Sequence, residues 1–485
     1  MTTSYDYDLI VLGAGPAGEK GAAQAAFYGK RVATVEMGKE PGGAAVHTGT
    51  LPSKTLRETA LYLSGYRQSE LYGLDVHVNP DLAVPKMLSR NDVVRGLEVE
   101  RIRWNLDRHR IQLYHGFARF LDPHTIEITS KEAPPVHLTS HFFLIATGSE
   151  PYHPPFIPFD DRDVHDSDSI LLLDRLPKTL MILGGGVIGC EYASMFAALH
   201  VDVTLIEPRP HLLSFLDLEM GERLRGALVS LGINLRMGKS AVKVERKEAG
   251  PVELTLASGE TLEAEKLLGS LGRSGRTKEL GLSAIGVETD SRSYIKVNED
   301  FQTAIPTIYA AGDVIGFPSL ASASMEQARV AICHAFGFTY KRQVSSLIPY
   351  GIYTIPEVSC IGISEQEAQK KNIPYVVGRA FYQDNARGKI IGDKEGMIKL
   401  LFHKESRKLI GCHCIGDRAS ELVHIGQTVI ILGGSINTFI DMVFNYPTLS
   451  ELFKYAAYDA LSEFAKLEDA KNMLSNPYAA PFPNT

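Results

Sequence analysis

The strongest limit on the fold is a plan that the chain uses twice. Asp8–Glu36 reads as strand, glycine turn, Ala-rich helix, strand, and Thr179–Glu207 repeats it. Each copy carries G-x-G-x-x-G, at Gly13, Gly15, Gly18 and at Gly184, Gly186, Gly189, and each ends on an acid, Glu36 or Glu207. One such motif is weak evidence, since roughly 0.3 copies are expected by chance among this many glycines. Two copies in one context, with one glycine-to-acid offset, are specific. The first glycine permits a tight turn, and the second lets backbone approach a pyrophosphate. The third allows close helix–strand packing, and the helix N-terminus faces the anion. The acid accepts hydrogen bonds from ribose hydroxyls. Two bound dinucleotides are therefore predicted.

The 485 residues suffice for about three domains. With 44% hydrophobic and 22% charged residues the chain reads as globular. A net charge of −7 argues against a nucleic-acid partner. Apolar runs such as Phe142–Ala146 and Val429–Leu432 are too short for a membrane span. Tyr7–Leu12 already reads as a buried strand, which leaves no room for a leader and makes a cytoplasmic location the expectation. The odd count of five cysteines argues against a disulfide framework. Cys412 and Cys414 flank His413, but the run Lys408–Ile415 reads as a core strand in preference to a metal or redox pair. No metal site is expected.

Residues 110–145 and 252–276 alternate apolar and polar positions as β-meanders do, and 307–335 return to a strand, TIYAAGD, and an apolar helix. Beyond 345, PYGIYTIPEVSCIG and KLIGCHCIGD read as sheet, and Asn472–Thr485 reads as a surface tail.

These residues resemble the two-dinucleotide flavoprotein disulfide reductase family from Tyr7 to about Lys466. HTGTLPSKTLRE, DSDSIL, VIGCEYASMF, GDVIGFPSLASAS and FNYPTLSE are similar to its transhydrogenase branch. The resemblance implies an α/β fold with two Rossmann-like dinucleotide-binding domains and a C-terminal α+β dimerisation domain. FAD would bind to 1–152 and 277–344, NAD(P) to 153–276, and 345–485 would form a homodimer. It also implies that Asp313 of YAAGD holds the flavin ribitol and that Thr147 and Gly148 lie close to FAD. Gly116 and Ala118 would run past the adenine. Gly43, Gly272, Leu320 and Ala321 carry over as further dinucleotide-binding positions.

Family disulfide reductases place a Cys-x₄-Cys pair beside the flavin, and its matching positions here are Ala45 and Thr50. The family's C-terminal proton-handling His is matched by Tyr446, a poor base near neutral pH, so a packing role is favoured. Its orienting acid is matched by Glu451, left without a clear task. A structural role is at least as plausible for His47 as a flavin contact. The hydride-entry side is kept: Lys54 matches the lysine beside the reactive flavin nitrogen, and Glu191 its acidic partner near the nicotinamide.

The resemblance thus implies an FAD enzyme that accepts hydride from a nicotinamide and has no thiols to pass it on. Transfer between NAD(P)H and NAD(P)⁺ is the favoured output. A quinone or dye reductase and a low-turnover flavoprotein sensor stay open. Glu207 favours NAD(H) and repels a 2′-phosphate. Use of NADP(H) depends on whether Arg209 offsets that charge, and the sequence leaves its direction open.

Overall fold

The computed structural model describes residues 5–66, 71–73, 80–131, 133–247 and 250–475. Contacts divide the chain into two compact units. One comprises Met1–Thr59, Asn79–Leu183 and Ala241–Ser346; the other comprises Ala60–Val78, Gly184–Ser240 and Leu347–Thr485.

In the first unit, strand Tyr7–Leu12 lies between Val32–Glu36 and Val136–Ile145, parallel to both. Its apolar run is unbroken because both faces are buried. Leu9 and Val11 meet Ala22, Ala25, Ala328 and Ile332 from two helices, Pro16–Phe27 and Ala321–Phe336. Ile10 and Leu12 turn the other way, onto Phe120, Ile126 and Ile128. Strand Val136–Ile145 forks the sheet. Its end pairs in parallel with Ile308–Ala310, and its start pairs antiparallel with Thr125–Thr129, which carries Phe117–Asp122. The expected meander therefore begins at Phe117. Gln112–His115 instead extends the parallel sheet beside Val32–Glu36, a choice that a short alternating run cannot encode.

A similar correction applies further on. Ala241–Arg246, Val252–Leu256 and Thr261–Ala264 form the second meander. Lys266–Gly269 leaves it and pairs in parallel with Thr179–Leu183 and Val164–His165. Its four residues are all buried, the burial of a central strand.

In the second unit, helix Val187–Ala198 and strand Asp202–Glu207 complete the second repeat, and Asn234–Met237 pairs in parallel with that strand. The C-terminal sheet is antiparallel, in the order Tyr350–Ile352, Glu357–Gly362, Leu409–Gly416, Met397–His403, Tyr375–Phe381. Residues of helices Ala419–Ile431 and Leu452–Ser475 join its core. Cys412 and Cys414 share that core face, with sulfurs 3.9 Å apart, as a core strand requires. The expected tail is partly wrong: Asn472–Ser475 continues the last helix, and 476–485 lie outside the described residues. Among the described residues no helix is long and apolar enough to cross a membrane.

Candidate functional site

The two glycine turns are built alike. Gly13 and Gly184 have φ of 101° and 104°, a region that favours glycine. Their N–H groups donate to Val35 and Ile206, at 2.7 and 2.9 Å. The next N–H in each turn, of Ala14 or Gly185, donates to the carboxylate of Glu36 or Glu207, at 2.8 and 2.6 Å. The acid's other oxygen accepts from the backbone two residues on, Gly38 at 2.8 Å and Arg209 at 2.9 Å. Each acid thus clasps its own turn, and Glu36 keeps lone pairs for a further donor.

Both following helices start without a side-chain cap, on Gly15 and Gly186. Their first N–H groups are left for an anion. A Cβ on Gly18 would fall 1.8 Å from the Gly13 carbonyl oxygen, so this position serves helix–turn packing. A Cβ on Gly186 would meet no atom within 4 Å, so nothing in the fold itself requires glycine there. Close approach of a ligand would. Gly43 lies against Gly15, backbone on backbone: its Cβ would fall 2.9 Å from the Gly15 Cα. These cradles fit dinucleotides.

The other FAD-side positions expected from sequence lie in the first unit. Gly116 donates to the Glu36 carbonyl at 3.0 Å, and Ala118 is buried opposite Ile128. The Thr147 hydroxyl donates to the Arg276 carbonyl at 2.7 Å, and Gly148 accepts from the Arg276 N–H at 3.0 Å. The Gly272 carbonyl accepts from Tyr152 at 3.0 Å. Leu320 is the N-cap of helix Ala321–Phe336, again without a side-chain cap bond, and Ala321 is its first residue. Asp313 accepts from the Ser149 hydroxyl at 3.1 Å. Burial pushes its carboxyl above the ordinary range, against the pull of Arg273 and Ser149. Such an acid suits a ligand hydroxyl that would donate to it.

Sequence reasoning missed Arg273. Its Nε donates to the Ser149 hydroxyl at 2.7 Å and its Nη2 to the Ser149 carbonyl at 2.9 Å. It thereby fixes the serine that holds Asp313. Its place next to Gly272 was the one signal available.

Lys54 lies on helix Thr50–Ser64 and its ammonium donates to the Ser53 hydroxyl at 3.2 Å. Glu191 is buried and accepts from the Tyr353 N–H at 2.9 Å. Lys54 belongs to the first unit and Glu191 to the second. The Arg209 side chain, whose direction sequence left open, folds onto Glu207. Nε and Nη2 reach its two carboxylate oxygens at 2.7 and 3.1 Å. Burial works to raise the Glu207 carboxyl, but hydrogen bonds from Arg209 and Gly185 outweigh it and hold the group below the usual range.

The carboxylates of Asp217, Glu219 and Glu365 converge to within 4.8 Å of one another. The Lys399 ammonium already lies among them, 2.7 Å from Asp217 and 2.9 Å from Glu219.

Residues 7–335 match the family described as pyridine nucleotide-disulphide oxidoreductase, and residues 348–457 match that family's dimerisation domain. The chain belongs to the pyridine nucleotide-disulphide oxidoreductase family. A soluble pyridine nucleotide transhydrogenase from Mycobacterium tuberculosis strain H37Ra is 47% identical over 463 residues, 95% of this chain and 98% of the relative. One from Marinomonas is 44% identical, over 95% of this chain and 99% of its own. Among solved structures, LpdA from Mycobacterium tuberculosis aligns with TM-score 0.86 and 26% identity, covering 93% of this chain and 98% of LpdA. RclA from Escherichia coli, a flavoprotein disulfide reductase, shares the fold at TM-score 0.84 and 24% identity, covering 94% of this chain and 99% of its own.

In this pyridine nucleotide-disulphide oxidoreductase, Ala45 lies on helix Gly43–His47 and Thr50 opens the next helix. His47 donates from Nε2 to the Pro41 carbonyl at 3.0 Å, tying that helix to the glycine loop before it. Tyr446 is 75% exposed, so packing within one chain does not account for it. Glu451 Oε2 has no hydrogen-bond partner among the described residues.

Proposed function

We propose that this protein transfers hydride between NAD(P)H and NAD(P)⁺ through FAD, without a redox-active disulfide. The observation that carries this is the loss of sulfur where it is needed. Ala45 and Thr50 occupy the dithiol positions, and all five cysteines are buried at other places in the chain. The names of the relatives, soluble pyridine nucleotide transhydrogenases, support the same output.

On this reading residues 1–152 and 277–344 hold FAD and 153–276 hold the nicotinamide nucleotide. Residues 345–485 form the homodimer. Gly13, Gly15 and Gly43 let backbone approach the FAD pyrophosphate, Gly18 packs the helix against that turn, and Glu36 accepts from its ribose. Asp313 accepts from the ribitol. Gly184, Gly186, Gly189 and Glu207 do the same for the substrate nucleotide. Bound there, FAD supplies the hydride acceptor and donor. Lys54 offers positive charge to the reduced ring, and Glu191, held by the Tyr353 N–H, serves the nicotinamide. With one nicotinamide site, the first nucleotide leaves before the second enters. The reaction belongs in the cytoplasm, where thiols stay reduced.

The test is stopped-flow. NADPH should bleach the flavin of the purified holoenzyme, and NAD⁺ added next should restore its colour. Restoration by a quinone and not by NAD⁺ would make the protein a quinone reductase. No bleaching by NADPH or NADH would end both readings.

A further inference from the structure

One guanidinium in the first unit serves two acids. Arg273 Nε donates to the Ser149 hydroxyl at 2.7 Å, and that hydroxyl donates to Asp313 at 3.1 Å. At its other end Nη1 donates to the Ser167 hydroxyl at 3.3 Å, and that hydroxyl donates to Asp168 at 3.3 Å. Nη1 also lies 3.6 Å from the Asp168 carboxylate itself. The result is one chain of groups, acid, serine, arginine, serine, acid, with the cation at its centre. Strand pairing fixes its middle, because Arg273–Gly275 and Ser149–Pro151 pair antiparallel. The Tyr294 hydroxyl adds a bond to the Arg273 carbonyl at 2.7 Å.

The charges in this chain do not balance. Arg273 is 17% exposed and Asp168 25% exposed, so water screens them less than it screens surface ions. Burial raises both carboxyls, and at each the Arg273 charge is the largest force opposing it. Ser149 adds to that pull at Asp313. The nearby Tyr294 hydroxyl is itself pushed up by burial and by Asp313, and stays neutral. At Asp168, Asp166 pushes the carboxyl further up, while Ser167 and Arg276 pull it down. Both charged neighbours are already engaged: Arg276 lies 3.7 Å from Glu150, and His153 lies 2.7 Å from Asp166.

We propose that Asp168 and Arg273 are positioning residues of the FAD site, with Asp168 competing against Asp313 for the one guanidinium. While Asp168 is ionised, it draws on the positive charge that steadies Asp313 as the acceptor of a ligand hydroxyl. A neutral residue 168 leaves that charge to Asp313. This rests on the reading of Asp313 as the acceptor from the flavin ribitol. A hydroxyl donated to Asp313 favours its charged form. FAD affinity therefore falls once the ligand-free carboxyl begins to protonate, by up to about tenfold per pH unit. Whatever holds Asp313 ionised in the ligand-free site moves that fall to lower pH.

Release of flavin from the holoenzyme tests the competition without turnover. Dilute holoenzyme is equilibrated at a series of pH values from about 8 down to about 5, and free FAD is read by fluorescence after ultrafiltration. Circular dichroism of the same samples separates release from unfolding. Wild type should release FAD progressively as pH falls. Asp168→Asn, which keeps the side chain's size, should move release lower by about half a pH unit or more, about threefold in affinity at one acid pH. Arg273→Gln should move release to higher pH, and Arg273→Lys, which keeps the charge, should recover part of that change. Release from Asp168→Asn at the wild-type pH or above it overturns the inference, as does release that coincides with unfolding in every protein. The ribitol reading fails separately, if Asp313→Asn holds FAD as tightly as wild type at every pH.

Discussion

Asp313 illustrates how one side chain can couple ligand binding to pH. Its carboxyl is raised by burial, with Arg273 and Ser149 pulling the other way. A carboxyl whose folded pKa lies above its unfolded value adds stability below the unfolded value and loses it as pH rises through the folded one. Flavin-free protein should therefore lose stability as pH climbs out of the ordinary carboxylate range. A donor hydroxyl from FAD would favour the charged form and reverse that trend. Asp313→Asn should flatten the pH dependence of thermal melting in the flavin-free protein. It should also weaken FAD retention about 10- to 100-fold, the scale of a hydrogen bond to a charged group. Flavin absorbance after gel filtration reads the second effect. Wild-type retention in Asp313→Asn would remove this residue from the ribitol site. Lys399 poses the opposite case. Burial works to raise the Asp217 carboxyl, but His413 and the bonded Lys399 lower it further than burial lifts it. That stability exists above the unfolded pKa and disappears as pH falls through the folded one. Lys399→Met would strand a buried Asp217 without its ammonium. Unfolding in urea should show a loss of about 3–5 kcal/mol.

Among the elements, the two glycine turns separate fold from ligand. Gly18→Ala places its Cβ on the Gly13 carbonyl oxygen, and this overpacking should cost about 3 kcal/mol and release FAD. Gly186→Ala has room for its Cβ and an ordinary φ of −78°. It should melt within about 0.5 kcal/mol of wild type yet bind NADH poorly. Equal NADH affinity in Gly186→Ala would show that the second turn does not hold the nucleotide. These turns were legible in the sequence because strand, glycines, helix and acid follow one another within a short stretch. So was the core strand of Cys412 and Cys414, by alternation alone. What was not legible depends on distant partners. Gln112–His115 joined the parallel sheet because Val32–Glu36 offered an edge. The ion cluster brings Asp217, Glu365 and Lys399 together from three separate segments. Nothing local marks any of the three. Arg209 stands near the acid in sequence, but the closing of its fork on Glu207 is set by the fold.

For the whole molecule, residues 348–457 match a dimerisation domain, and the chain leaves Met442, Val443 and Tyr446 exposed there. Val443 is 93% exposed, so the chain's own fold does not depend on its side chain. Light scattering should give twice the 53.2 kDa chain mass, and Val443→Asp should shift the protein toward one chain mass. A dimer unmoved by that change would place the interface on another face. The buried cysteines carry a last consequence. Cys190, Cys333, Cys360, Cys412 and Cys414 are all sheltered in the chain, and burial pushes the Cys360 thiol up to about 12. Alkylation and peroxide attack both need an accessible thiolate. Iodoacetamide should therefore leave turnover untouched, and the native protein should give no colour with a thiol reagent until it is denatured. An electron carrier of this design would keep running through an oxidant burst that silences enzymes working through an open sulfur.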